Sequence, residues 1–284
     1  MLKEKDVSGI EANIERHYAR GGLTDRILAV LQNAGRNINT LSYSDLWPLD
    51  QFHMRGRDAT VELAQLAGLG AGMRVLDVGC GIGGPARLLA AEFGCAVTGI
   101  DLTEEFCEAA TRLSELVKLS GKVEFRCANA LDLPFEPAGF DAVWTQHASM
   151  NISDKDRLYS EFHRVLKPGG RVCIYDIAAG PASPIHFPVP WARDASISFL
   201  IAPDVIRRKL EDAGFRVIAW QDGTGEAMSW LQAMAERKPV EDEQPRLGMH
   251  LLQGPVWPVM IANVGRNLAE QRLEAVRAVL EKPL

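Results

Sequence analysis

The chain has 284 residues, 47% of them apolar and 24% charged, and a formal net charge of −6. That length suits one sizeable core with embellishments rather than two equal domains, and the acidic balance argues against a general affinity for nucleic acid or anionic membrane, which needs basic surface. Apolar runs all fall short of the roughly 18 residues of a membrane span, the start Met1–Gly9 is charged without the apolar core of an export signal, and the five scattered cysteines lack the close spacing of a metal site; the expectation is a reduced cytoplasmic protein without bound metal.

Apolar residues recur at helical spacing from Asp6 to about Asn33, with a break at Gly21-Gly22. The stretch Asn37 to His53 is aromatic and irregular, and a helix is predicted from Arg57 to Leu66. The pattern then changes to short apolar runs separated by helical ones. Strands are predicted at Arg74–Val78, Ala96–Asp101, Lys122–Cys127, Phe140–Thr145, Arg171–Asp176 and Phe215–Trp220. Helices fall at Pro85–Phe93, Glu104–Leu119, Lys155–Leu166 and Pro203–Ala213. Such alternation means an α/β fold: a doubly wound, Rossmann-like, mostly parallel sheet with both faces covered. Further on, Glu226–Arg237 and Val256–Gln271 look helical, Lys238–Pro245 is a charged loop, and Leu273–Lys282 fits a strand or a continuing helix equally well.

Between the first strand and helix lies Asp77-Val-Gly79-Cys-Gly81-Ile-Gly83-Gly84-Pro85. Glycines let a backbone turn tightly and approach a ligand, and free amides at a helix start attract negative charge. Gly79, Gly81 and Gly84 satisfy the GxGxxG dinucleotide pattern, so a nicotinamide-dependent oxidoreductase competes at this point. Asp101, ending the second strand, is placed to accept from both hydroxyls of a ribose; this feature selects adenosine without choosing between nicotinamide and sulfonium chemistry.

Three features separate the two. Asp77 precedes the first glycine by two residues, Asn129-Ala-Leu-Asp-Leu-Pro-Phe135 follows the third strand, and Arg164-Val-Leu-Lys-Pro-Gly-Gly-Arg171 leads into the fifth. With these the chain resembles class I S-adenosylmethionine (AdoMet)-dependent methyltransferases, in the ubiquinone/menaquinone-methyltransferase-like group. The resemblance implies AdoMet as cofactor: Asp77, Gly79, Gly81, Gly83 and Gly84 at its methionine end, Asp101 at the ribose, and Leu102, Asn129 and Ala130 at the adenine. Where the family usually carries Asp, this chain has Asn129, whose amide can rotate to offer its oxygen. A second likeness, in Asp50-Gln-Phe-His53, Trp144-Thr-Gln-His147 and Met150-Asn151, is to the sarcosine/dimethylglycine N-methyltransferase-like branch and its small-molecule relatives. It implies an N-terminal helical lid over residues 1–66, with Gln51 and His53 reaching cofactor or acceptor. A methyltransferase domain then spans 67–284, with an insertion at 177–202, a helical addition at 226–271 and a seventh strand at Leu273–Lys282.

Ligands of open α/β sheets lie beyond the carboxyl ends of the strands, so Gln146, His147, Met150 and Asn151, after the fourth strand, are expected at the transferred methyl group. His147 is the natural base near neutral pH and Asp176 could orient its ring, with Gln146 beside them; the plainer reading is that His147 bonds a carbonyl or shapes the pocket and Asp176 caps a turn. Trp191 in the insertion and Trp257 further on are expected to wall an apolar acceptor, although an oligomer interface, as in a homodimer, would use the same apolar residues. The function expected is methyl transfer to nitrogen or oxygen of a small molecule, with an oxidoreductase or a non-catalytic AdoMet-binding protein as alternatives.

Overall fold

A computed structural model describes residues 4–18, 21–236, 247–250 and 254–284. Its centre is a seven-stranded sheet in the order β3-β2-β1-β4-β5-β7-β6. The strands are β1 (Arg74–Val78), β2 (Ala96–Asp101), β3 (Val123–Cys127), β4 (Phe140–Gln146), β5 (Leu166–Ala179), β6 (Arg216–Asp222) and β7 (Leu273–Glu281). β1 pairs in parallel with β2 and β4, β3 with β2, and β4 with β5, whereas β7 runs antiparallel to both β5 and β6. A continuous apolar run marks a strand covered on both faces, and β1 is buried at every residue after Arg74. The strand order reverses between β1 and β4, which puts the ligand crevice outside their carboxyl ends.

Helices α1 (Glu4–Tyr18), α2 (Leu23–Asn33), α3 (Trp47–Asp50) and α4 (Gly56–Leu66) precede the sheet. The remainder are α5 (Gly84–Glu92), α6 (Glu104–Leu116), α7 (Lys155–Val165), α8 (Pro203–Asp212), α9 (Thr224–Glu236) and α10 (Trp257–Ala269). One core packs α4, α5, α9, α10 and part of 177–202 against Trp144, Cys173 and Tyr175. The opposite core sets Leu158, Phe162, Ile206 and Leu210 against Leu76, Val143 and Ile174. A third cluster joins Leu23, Ile27 and Leu31 of α2 to Phe106, Ala109 and Leu113 of α6. Full burial of a large apolar side chain stabilises by about 1.5–3 kcal/mol, so the fully buried Ile27 and Leu31 tie α2 firmly to the sheet domain.

The strand–helix alternation matches expectation, with shifts at the ends. The helix expected to reach Leu166 stops at Val165, and the strand expected at Arg171–Asp176 runs from Leu166 to Ala179. The cause is pairing: Leu166 already partners Phe140, and Ile177 to Ala179 find partners in β7. Leu273–Glu281 is strand, not helix, because it supplies both β5 and β6 with a neighbour. The expected charged loop Lys238–Pro245 lies outside the described residues. Among the described residues no helix is long and apolar enough to cross a membrane, and no cluster of metal-ligating side chains is present.

Candidate active site

The glycine loop joins β1 to α5 at the reversal of strand order. Gly79 and Cys80 both donate their amides to Ile100 O, at 2.9 Å each, which folds the loop against β2. Gly79 has φ +77°, and a Cβ there would lie 2.2 Å from that of Ala148. At Gly84 a Cβ would meet the Asp50 carbonyl at 2.1 Å. These two glycines therefore admit the loop after β4 and the N-terminal segment; ligand approach is not needed to explain them. Gly81 has only the Phe52 ring near it, at 3.4 Å, and Gly83 abuts Phe125.

Asp101 sits at the centre of this crevice. Its Oδ2 accepts from Gly81 N at 3.0 Å and its Oδ1 from Thr103 N at 2.9 Å, with burial holding its carboxyl above the ordinary range. Asp77 is buried with no partner for Oδ2. Burial, and then the Asp101 charge, push its carboxyl up to about 8. A buried carboxylate without a partner is expensive, and a cationic group in the crevice would relieve it. The donor set fits AdoMet in this respect: its methionine end would bring an ammonium to Asp77, and its ribose would bring hydroxyls to Asp101.

Asn129 and Ala130 follow β3, half-buried beside Leu102. Asn129 Oδ1 accepts from Leu131 N at 2.9 Å, while its amide nitrogen donates to Glu11 of α1 at 2.5 Å. Helix α1 also sends Tyr18 OH to Asn151 Oδ1 at 2.9 Å and the His17 ring to Pro190 O at 3.0 Å. It thus lies across the crevice from the residues expected at the adenine to the 177–202 insertion.

The acceptor side differs from expectation in its pairings. Asp176 does not bond the imidazole of His147. Its Oδ2 accepts from the backbone and hydroxyl of Ser149, and its Oδ1 from Ile177 N. Buried Lys155 lies near it, capping Ser149 O and Ile152 O. Burial raises Asp176 to about 6 and lowers Lys155 to about 8. Both hold the turn after β4; the short sequence distance from His147 to Ser149 hid this choice of partner. His147 itself has φ +49°, a conformation strained for a side chain with Cβ, and its buried Nε2 has no partner. Burial, then the nearby His53, keep it well below the ordinary imidazole value.

His53 and Gln51 are turned inward. His53 Nε2 lies 2.9 Å from Gly56 O, which can only accept, so this nitrogen carries the proton. Thr60 Oγ1 stands between His53, Gln51 and Gln146 at 3.0, 3.4 and 3.1 Å. Gln51 also donates to Asp50. Gln146 Oε1 accepts from the Trp144 indole at 3.0 Å, leaving Nε2 buried and unpartnered. Asn151 spends its amide on Trp191 O and Ile197 O, clamping the insertion. Met150 and Trp191 are buried in the same core. Trp257 begins α10 and is half-buried.

Several positions were missed in the sequence. Thr60, Ser149, Lys155 and Tyr175 carry no local motif. The Asp50–Arg87 pair, 2.9 Å apart and each 1% exposed, was also missed. Arg87 further donates to Ile82 O in the glycine loop. A basic residue within the apolar run Pro85–Ala91 was the available signal. The Cys107 and Cys127 thiols donate to Asp101 O and Leu102 O.

Fold and crevice together define an AdoMet-type Rossmann-like protein. A family model for the methyltransferase domain matches residues 76–174. Phosphoethanolamine N-methyltransferase 1 of Arabidopsis thaliana is 32% identical over 189 residues, 66% of this chain and 38% of that protein. Methyltransferase GfsG of Streptomyces halstedii is 36% identical over 135 residues, 46% of this chain and 49% of its own. The alignments thus span under half the length of these relatives. Among solved structures, Haemonchus contortus phosphoethanolamine N-methyltransferase 2, in complex with phosphomonomethylethanolamine and S-adenosylhomocysteine, superposes with a TM-score of 0.68 at 24% identity. It covers 95% of this chain and 61% of that one. Residues 76–174 thus match a methyltransferase domain, set in a fold shared with AdoMet-dependent methyltransferases.

Proposed function

We propose that the chain transfers a methyl group from AdoMet to nitrogen or oxygen of a small molecule. The observation that carries this is the unpartnered, buried Asp77 carboxylate beside a glycine loop whose Gly81 amide is tied to Asp101. In this reading the loop amides and Asp77 hold the amino-acid end, Asp101 the ribose, and Leu102, Asn129 and Ala130 the adenine. Bound AdoMet supplies a methyl group on a sulfonium. The chain positions the acceptor about 3 to 3.5 Å from that carbon and receives any proton it loses. His147 Nε2, free of internal partners, is the group for that proton. Asp176 and Lys155 act through the turn they hold, as positioning residues. The 177–202 insertion walls the acceptor, and α1, with the rest of 1–66, is a lid. We place the protein in the cytoplasm, acting on small acceptors rather than on nucleic acid or membrane, as a monomer or homodimer.

The test is thermal. A ligand that binds only the folded state at about 100 times its Kd adds about 2.7 kcal/mol of stability. AdoMet and S-adenosylhomocysteine should raise Tm and NADH should not. The reverse pattern would return the oxidoreductase reading.

A further inference from the structure

Three buried polar atoms at the ends of β4 and β5 have no partner: Gln146 Nε2, His147 Nε2 and Tyr175 OH. They belong to one neighbourhood. Gln146 and Tyr175 are register partners, His147 donates its backbone amide to Tyr175 O at 2.9 Å, and the His147 and Tyr175 rings are 5.1 Å apart. Gln146 cannot turn its nitrogen inward, because the Trp144 indole, a donor only, holds its oxygen. Buried polar atoms in native structures nearly always find partners, and one orphan is ordinary where three together are not. What they offer is two amide hydrogens, one ring nitrogen and one hydroxyl, with no net charge. Burial keeps His53 at about 4, His147 well below the usual imidazole value and Tyr175 up at about 12, so all three rings are uncharged near neutrality.

The formal charges acting on Tyr175 are already paired with one another. Arg55 bonds Glu62 and Glu226, and Arg277 bonds the same two carboxylates. A phosphate would have to displace a glutamate from an arginine, and an ammonium would meet only imidazoles, a phenol and an amide. We propose that Gln146, His147 and Tyr175 form a grip for an uncharged hydroxyl of the acceptor, and that this acceptor is a phenol or a comparably acidic enol. The inference rests on the methyltransferase reading and narrows its acceptor.

The acidity of the hydroxyl follows from the weakness of the base. A phenol ionises near 10, as tyrosine does, and water near 15.7, so a phenol gives up its proton about six orders of magnitude more readily. In the step, the acceptor oxygen forms its bond to the methyl carbon as the carbon–sulfur bond breaks, with that electron pair left on sulfur. The hydroxyl proton passes to His147 Nε2 and then to solvent.

The experiment titrates protein saturated with S-adenosylhomocysteine with one- to three-ring phenols and, separately, with phosphoethanolamine, following binding by calorimetry. Tyr175→Phe removes only an unpartnered oxygen and should fold. The expected result is phenol binding by the native chain, weakened at least tenfold in Tyr175→Phe, and no binding of phosphoethanolamine. Absence of phenol binding, equal binding by the variant, or preference for phosphoethanolamine would each overturn the inference. Failure of S-adenosylhomocysteine itself to bind would instead remove the methyltransferase reading beneath it.

Discussion

At the ends of β1 and β2, the groups facing the crevice come from one run of chain, residues 77–103. They are held by backbone amides, with Gly81 N and Thr103 N on the Asp101 carboxylate. At the ends of β4 and β5 the groups come from separate segments: His53 and Thr60 around α3 and α4, Gln146 to Asn151, Tyr175 and Asp176, and Trp191 in the insertion. They are joined across segments by side-chain bonds, to other side chains and to backbone. The first half is a local conformation written in glycines and a carboxylate; the second exists only after the sheet has assembled. A crevice built this way keeps one ligand constant and leaves the other free to vary, since changing the second half leaves the first undisturbed.

The largest effect that could break this contrast concerns Asp50, which crosses between the halves. Asp50→Ala strands the buried Arg87 guanidinium, and losing one partner of a buried pair costs about 3–5 kcal/mol. The urea midpoint should fall accordingly; an unchanged midpoint would mean the N-terminal segment is not bolted to the glycine loop. Next comes His147→Ala, for which turnover should drop about 100-fold or more while S-adenosylhomocysteine affinity holds. Undiminished turnover removes its role as base. Asp101→Ala should act on the other half, weakening cofactor about 10- to 150-fold, the range for charged hydrogen bonds worth 1.5–3 kcal/mol. Cofactor affinity untouched by that change would argue against the ribose contact.

A further prediction sharpens the comparison through pH. Asp77 titrates near 8 in the folded chain and near 4 when unfolded. The folded state thus holds its proton more tightly, and stability present below about pH 4 is lost as pH rises toward 8. Ligand-free Asp77→Asn should lack that slope, matching the native chain near pH 3 and exceeding it near pH 8. It should also bind S-adenosylhomocysteine more weakly. Parallel urea curves for both proteins at both pH values would refute the unpartnered state of Asp77.

What was legible in the sequence follows the same division. Gly79 to Pro85, Asp77 and Asp101 could be read as one group because their chemistry and their spacing lie in one strand–turn–helix–strand unit. The strands were found because β1 and β4 are buried runs. For Asp176 the sequence left open orienting His147 or capping a turn; it takes the second, on Ser149, and only packing decides between groups on one turn. Gln146 appeared in the sequence as a polar residue at a strand end. That Trp144 would fix its amide orientation depends on a period-2 neighbour being an indole turned the same way. Thr60 and Arg55 reach the site across α4, whose amphipathic pattern specifies which face is buried but not which strand ends it meets.

One consequence of β7 concerns synthesis. Residues 273–281 lie between β5 and β6 and pair with both, so most of the sheet can form before them while one flank of β5 has no neighbour. Pairing between segments about a hundred residues apart closes slowly, and unpaired strand edges invite association with other chains. On the ribosome the portion with β1, β2 and the glycine loop would be complete early, and the growing polypeptide would carry an open β5 flank until β7 left the exit tunnel. A bound nucleoside during that interval would shelter the early portion without closing the flank.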